Sequence, residues 1–366
     1  MSRQKILVVV GTRPEAVKMA PVIHAMRKAP DLEVQVLATA QHREMLDQVF
    51  EFFGIEPDRD LDLMRPGQDL AGLTSRMMVS LDEALADLKP DVVLAQGDTT
   101  TVMVAGLAAF YRGIRFGHVE AGLRTGDMAN PFPEEMNRVL VGRLAALHFA
   151  PTDGAAENLR REGVDESTIH VTGNTVIDAL LWAAERVDAS RFAAVEGRRL
   201  VLVTAHRREN FGAPFESICR ALRTVADRDD VELLYPVHPN PQVLEVAHAR
   251  LGDHPRIRLV DPLEYPDMVA AMRAADLIVT DSGGVQEEAP TFGRPVLVLR
   301  NTTERPEGVD AGAAELVGTD EQTIVRRVCR LLDDRSAYQA MAAVQNLYGD
   351  GTAAQRIVQL LTRDRS

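Results

Sequence analysis

The residues best suited to chemistry lie between positions 277 and 306, LIVTDSGGVQEEAPTFGRPVLVLRNTTERP. The apolar run Leu277-Ile278-Val279 reads as a strand. It turns at Asp281-Ser282-Gly283-Gly284 and enters a helical segment carrying Glu287 and Glu288. A strand, a Ser-Gly-Gly turn and a helix N-terminus together make an anion site. The glycines let backbone N–H groups approach a phosphate, and the helix dipole favours negative charge. Glu288, one turn further on, is suited to a ribose diol rather than to a phosphate. The local reading is a nucleoside diphosphate held by its phosphates and its sugar. Ser-Gly-Gly alone is also an ordinary strand-to-helix turn; the Glu pair and the TTERPE loop that follows favour the ligand.

Other polar residues gather behind apolar runs. Arg13 follows the run 6–10 and precedes a helix with Pro14 in its first turn, where proline's missing N–H costs nothing. Lys18 lies about a turn later. Asp98 follows the run 90–95 in Gln96-Gly97-Asp98-Thr99-Thr100, Glu120 follows 114–119, and Glu134 sits in Pro131-Phe132-Pro133-Glu134-Glu135. His206 and Arg207 follow 200–204, and His238 follows 233–237. Each has a plainer alternative. Asp98 could cap a helix, Glu120 could pair with Arg124, and Glu134 with Arg138 one helical turn on. A lone His206 is often a structural hydrogen-bond donor, and His238 could be structural or peripheral. Taken together, cations and N–H groups in the second half and carboxylates in the first suit a nucleotide-sugar.

The elements that must position these residues are short buried strands alternating with amphipathic helices. Over 1–171 this alternation predicts a doubly wound parallel sheet. It restarts at Thr172 and continues through 172–366, with the last helix, about 351–362, expected to pack back on the first domain. The fold class is α/β: two Rossmann-like domains, which bring their loops to one cleft if they face each other. A length of 366 residues fits two domains. The net charge of −13 argues against nucleic-acid binding through a broad basic surface. Cys219 and Cys329 are too few for a disulfide framework or a zinc cage. No apolar run approaches the ~20 residues of a membrane span, and the start of the chain reads as a strand rather than a signal peptide. The expectation is a soluble, cytoplasmic protein. No Gly-x-Gly-x-x-Gly follows a strand, no Walker sequence occurs, and no His/Cys/Asp spacing indicates a metal. No cofactor is expected.

The motifs GTRPEAVKMAPVI, QGDTTT, HVEAGLRTG, PFPEEMNR, AHRREN, PVHPN, TDSGGVQEEAPTFGRPVLVLRNTTERPE and LVGTD occur in the order found in the non-hydrolysing UDP-N-acetylglucosamine 2-epimerases. The resemblance covers nearly the whole chain. It implies a glycosyltransferase-B-like fold with two Rossmann-like domains facing a central cleft, usually as a homodimer. It also implies interconversion of UDP-N-acetylglucosamine and UDP-N-acetylmannosamine without a nicotinamide cofactor. The resemblance makes Asp98, Glu120 and Glu134 the catalytic carboxylates, with base and acid unassigned. His206 and Arg13 become diphosphate-side residues, His206 assisting UDP departure. Ser282, Gly283 and Gly284 become phosphate contacts, Glu288 the ribose contact and Lys18 a substrate contact. Backbone near Met268 would hold the uracil.

One departure concerns a second UDP-N-acetylglucosamine, which activates many bacterial members. Of its residues, Gln41, Arg207 and His238 are present, but Glu44 and Gly67 stand where the family has a Gln and an Arg. Losing a cation and adding an anion beside a diphosphate weakens such a site, so weak or absent activation by substrate is expected. The alternatives are a hydrolysing epimerase releasing N-acetylmannosamine and UDP, an epimerase of a related UDP-2,3-diacetamido sugar, a retaining glycosyltransferase, and a non-catalytic nucleotide-sugar sensor. The pathway is left open among surface polysaccharide, teichoic-acid linkage and antibiotic biosynthesis.

Overall fold

The computed structural model describes residues 3–39, 43–63, 67, 69–344 and 347–363, and says nothing of the side chains of 43–45. The chain forms two compact units. The first is Met1–Leu181 with Tyr348–Ser366, and the second is Trp182–Leu347.

In the first unit seven strands pair in parallel: β1 (Gln4–Val10), β2 (Leu32–Ala38), β3 (Arg59–Asp60), β4 (Val92–Gln96), β5 (Arg115–Val119), β6 (Leu147–Ala150) and β7 (Ile169–Val171). Their order across the sheet is β3-β2-β1-β4-β5-β6-β7. The central strands are apolar and buried on both faces, as a parallel sheet covered by helices requires. On one side Leu7, Val9, Val93 and Phe116 pack with Met77, Leu81 and Val102 from the helices Leu70–Leu88 and Thr100–Tyr111. Short β3 and β7 at the edges lack a continuous apolar run, which is why the sequence pattern does not announce them.

The second unit repeats the plan. Its strands are β8 (Arg199–Thr204), β9 (Val231–Pro236), β10 (Ile257–Val260), β11 (Leu277–Thr280), β12 (Val296–Val298) and β13 (Ala314–Leu316). They run β10-β9-β8-β11-β12-β13, again in parallel. Its core joins Val201, Leu233 and Val279 to Phe215, Ile218 and Leu222 of the helix Ala213–Ala226.

Residues 172–181, assigned to the second half by the alternation, belong with the first unit, as does the chain from Tyr348 onward. Hydrogen bonds supply the reason. Asp178 in the helix Thr175–Ala184 accepts the N–H groups of Ala353 and Ala354 at 3.2 and 2.9 Å. These open the last helix, Ala353–Arg363, which packs on the helix Arg13–Arg27. Asn174 N–H donates to the Tyr348 carbonyl at 2.9 Å, and Arg356 donates to the Thr172 carbonyl at 3.0 Å. Among the described residues no helix is long and apolar enough to cross a membrane.

Candidate active site

In the first unit the strand order reverses direction between β1 and β4, and open α/β sheets bind ligands outside the carboxyl ends of strands at such a point. Arg13 follows β1, Asp98 follows β4, and Glu120 follows β5, so neighbouring strands bring all three to one edge. Glu15 ties two of these turns together. Its carboxyl is only 1% exposed. Oε2 accepts the N–H groups of Gly11 (2.5 Å) and Thr12 (3.0 Å), and Oε1 accepts the Thr99 hydroxyl at 2.5 Å. Burial pushes this carboxyl up to about 7, against the lowering effect of those donors. The turn is tight: a Cβ on Gly11 would lie 2.3 Å from Thr101 Oγ1.

Asp98 does not cap a helix. Thr99 does, its hydroxyl accepting from Val102 N–H. Asp98 instead binds Arg138, whose Nε and Nη2 approach Oδ2 at 2.9 and 2.6 Å. Asn137 donates to the Asp98 carbonyl at 2.8 Å. Buried His118 donates from Nε2 to the Gly97 carbonyl at 2.7 Å. Burial pushes this imidazole down to about 4, so it is neutral near pH 7. Glu134 heads the helix Glu134–Leu144 that carries Asn137 and Arg138, and it is half-buried. Arg138 does not turn to Glu134; it binds buried Glu135 at 2.9 Å. Glu135 in turn accepts Thr125 and Gly126 N–H, both at 3.0 Å, fixing the loop ahead of the helix.

Glu120 pairs with Lys18 at 2.5 Å, while Arg124 forms a two-pronged pair with Glu162. The φ of Glu120 is +65°, a left-handed conformation that a residue with a Cβ adopts at some cost. Such strain is a recurrent mark of functional positions. Arg13 is half-buried and forms no ion pair among the described residues. The cation-bound carboxylates at the neighbouring strand ends suit proton transfer and stabilisation of positive charge.

In the second unit the corresponding reversal falls between β8 and β11. Asp281 directly follows β11, is fully buried, and binds the turn after β8. Its Oδ2 accepts the N–H groups of His206 and Arg207, both at 2.8 Å, and the Asn210 amide at 3.1 Å. His206 stacks on His238 with ring centroids 5.3 Å apart and planes 11° apart. Ser282 stands at the N-cap position of the helix Gly283–Glu288 without a side-chain hydrogen bond to it, and the Arg207 and Arg305 guanidiniums both lie beside Gly283. Arg305 is held by Glu287 at 2.5 Å. Gly284 is exposed and Glu288 half-buried at the helix end. N–H groups, two guanidiniums and a His thus converge on one turn, a set of donors matched to a diphosphate. Met268 is half-buried in the helix Tyr265–Ala274, and its N–H is taken by the Glu264 carbonyl at 2.9 Å. Its amide is therefore occupied by the helix.

Arg207 and His238, read as part of a second ligand site, both adjoin His206 or the Gly283 turn. Gln41 lies outside the described residues, as does the side chain of Glu44; Gly67 is exposed with φ +69°. Among the described residues no group of three or more His, Cys, Asp or Glu is placed to hold a metal.

The family model described as UDP-N-acetylglucosamine 2-epimerase matches residues 24–362. The chain belongs to the UDP-N-acetylglucosamine 2-epimerase family. It is 53% identical to the UDP-N-acetylglucosamine 2-epimerase of Escherichia coli K12 over 372 residues, covering 99% of each chain. The crystal structure of UDP-GlcNAc 2-epimerase from Neisseria meningitidis bound to UDP-GlcNAc is similar, with a TM-score of 0.90 and 44% identity; 98% of this chain and 100% of that one are covered. The Methanocaldococcus jannaschii UDP-GlcNAc 2-epimerase in complex with UDP-GlcNAc and UDP gives 0.81 and 33%, with the same coverage.

Sequence reasoning about this epimerase-family chain gave no site role to Glu15, His118, Asp281 or Arg305, and read Arg138 only as a partner for Glu134. A signal existed for two of them. Glu15 stands three residues after Thr12, the spacing of a capping box, and Asp281 directly follows an apolar strand. For the other three, partners 21, 40 and 18 residues away supply the meaning.

Proposed function

We propose that the protein interconverts UDP-N-acetylglucosamine and UDP-N-acetylmannosamine reversibly, without releasing free sugar. The C2 hydrogen is not α to a carbonyl, since the acetamido carbonyl lies across nitrogen, so direct deprotonation is too slow. The C1–O bond breaks first, its electron pair leaving with UDP, and C1 becomes oxocarbenium-like. A carboxylate then takes the acidified C2 proton, giving a 2-acetamidoglucal. UDP adds back at C1 as a proton is delivered to C2 from the opposite face. The observation that carries this reading is the pairing of Asp98 with Arg138 and of Glu120 with Lys18 on adjoining strand ends. Two ion-paired carboxylates, with Glu134 heading the Arg138 helix, suit a proton removed from one face and returned to the other.

In this reading Asp98, Glu120 and Glu134 act on the sugar. His206, Arg13, Ser282, Gly283 and Gly284 receive the leaving diphosphate, and Glu288 takes the ribose. The likeness to epimerases in complex with UDP-GlcNAc supports the choice of substrate. Incubation with UDP-N-acetylglucosamine in deuterium oxide is expected to place deuterium at C2 in both epimers, read by NMR. Free N-acetylmannosamine as the product would instead indicate hydrolysis. No exchange with this sugar, but exchange with a UDP-2,3-diacetamido sugar, would reassign the substrate.

We further infer a homodimer, and a surface of the first unit supports that reading. A groove of about 720 Å³ is lined by Leu70, Met78, Val79, Met103, Phe132 and Met136, with Val79 and Phe132 largely exposed. An apolar surface of this kind is suited to a second copy of the chain. Light scattering is expected to give twice the 40.2 kDa of one chain. Val79→Glu should shift it towards monomer; a wild-type monomer would refute the assignment.

A further inference from the structure

We propose that Asp281 is a positioning residue that fixes the proton of His206 on Nδ1 and turns Nε2 toward the ligand. This rests on the reading of His206 as a diphosphate-side residue. Asp281 Oδ2 is fully engaged by the N–H groups of His206, Arg207 and Asn210. Its other oxygen, Oδ1, makes no hydrogen bond, lies in a fully buried side chain, and has His206 Nδ1 3.5 Å away. A buried carboxylate oxygen without a donor is costly, and an N–H on His206 Nδ1 is the group at hand to satisfy it. Nε2 then lies on the opposite edge of the ring.

Several contacts hold the imidazole in this orientation. Buried Tyr235 of β9 donates its hydroxyl to the Ala205 carbonyl at 2.6 Å, fixing the residue before His206. Asp281 fixes the backbone N–H groups of His206 itself and of the residue after it. The His238 ring stacks against one face, and its own Nδ1 accepts the Asn240 N–H at 3.1 Å. Charged neighbours act in opposite directions. Burial, His238 and Arg207 disfavour imidazolium, while Asp281 favours it. The consequence is a ring that is largely neutral at rest. When the anionic diphosphate binds, that ring takes a proton from solvent at Nε2; the imidazolium, stabilised from behind by Asp281, then donates its Nε2–H to the diphosphate oxygen that gains charge as the C1–O bond breaks.

Nitrogen-15 NMR of histidine-labelled protein tests the arrangement without any turnover. Wild-type His206 is expected to titrate as the Nδ1–H tautomer. Asp281→Asn would present an amide N–H to Nδ1, so the neutral ring should switch to the Nε2–H tautomer and its titration midpoint should fall by about 1 unit or more. In the same variant kcat is expected to fall at least about tenfold with KM much less changed, since a reversed tautomer spoils the transition state more than binding. A wild-type ring in the Nε2–H form would overturn the proposal, and needs no variant that folds. So would a folded Asp281→Asn with unchanged tautomer and midpoint. Wild-type protein lacking epimerase turnover would remove the function reading but leave the tautomer result standing.

Discussion

Glu15 offers the sharpest test of the first unit's site, because its carboxyl is buried and shared between the turns that carry Arg13 and Asp98. Burial raises it from 4.5 to about 7. Below pH 4.5 both folded and unfolded chains hold the proton. Between 4.5 and about 7 the unfolded chain releases it while the folded chain keeps it. The folded state then binds more protons, so stability falls as pH rises. At about 1.4 kcal/mol per unit the loss totals about 3 kcal/mol. The contribution is fully present below pH 4.5 and gone above about 7.

Glu15→Gln removes the titration but keeps an oxygen for the Gly11 and Thr12 N–H groups. Its amide can donate to Thr99, whose hydroxyl rotates to accept. Urea unfolding of both proteins at steps from pH 5 to 8.5, following the first unit's transition, measures the difference. Wild type minus Gln is expected to decrease by about 2.5 kcal/mol across that window, the rest of the loss falling below pH 5. A difference that stays flat would show that Glu15 is ionised throughout, and the argument from burial would fail.

Asp98→Asn should keep the Arg138 and Asn137 contacts in part yet reduce kcat on the order of 10²-fold or more; steady-state turnover near wild type would remove Asp98 from the chemistry. Gly122→Ala places a Cβ 2.1 Å from the Ala155 carbonyl oxygen at a φ of +90°. It should cost about 2–4 kcal/mol, seen as a lower urea midpoint, because backbone on both sides must move. With Glu44 and Gly67 in place of a Gln and an Arg, turnover of UDP-N-acetylmannosamine should begin without added UDP-N-acetylglucosamine. A strict requirement for that activator, measured as a lag it abolishes, would refute the weakened second site.

The chain's own order of residues determined the α/β class, the central strands, and the strand ends at which Arg13, Asp98, Glu120, His206 and Ser282 stand. Those features depend on local patterns: continuous apolar runs for strands buried on both faces, and polar turns behind them. Tertiary structure decided the partners. Arg138 was legible as a helical neighbour of Glu134, yet it binds Asp98, 40 residues away. Glu120 faces Lys18, 102 residues away, rather than the nearby Arg124. Ion pairs follow proximity in space, and the sheet order sets that proximity by placing β4 between β1 and β5.

The edge strands β3, β7 and β13 stayed hidden because a strand paired on one side and only two or three residues long needs no apolar run. The division into units was hidden for a similar reason. Asp178 and the N–H groups it accepts lie 175 and 176 residues apart. The return of the last helix was expected, but alternation along the chain cannot register that residues 172–181 stay with the first unit to meet it. The same holds at 277–306: its motif reads as a nucleotide site, but only the fold showed that Asp281, after β11, reaches the turn after the neighbouring β8 to hold His206.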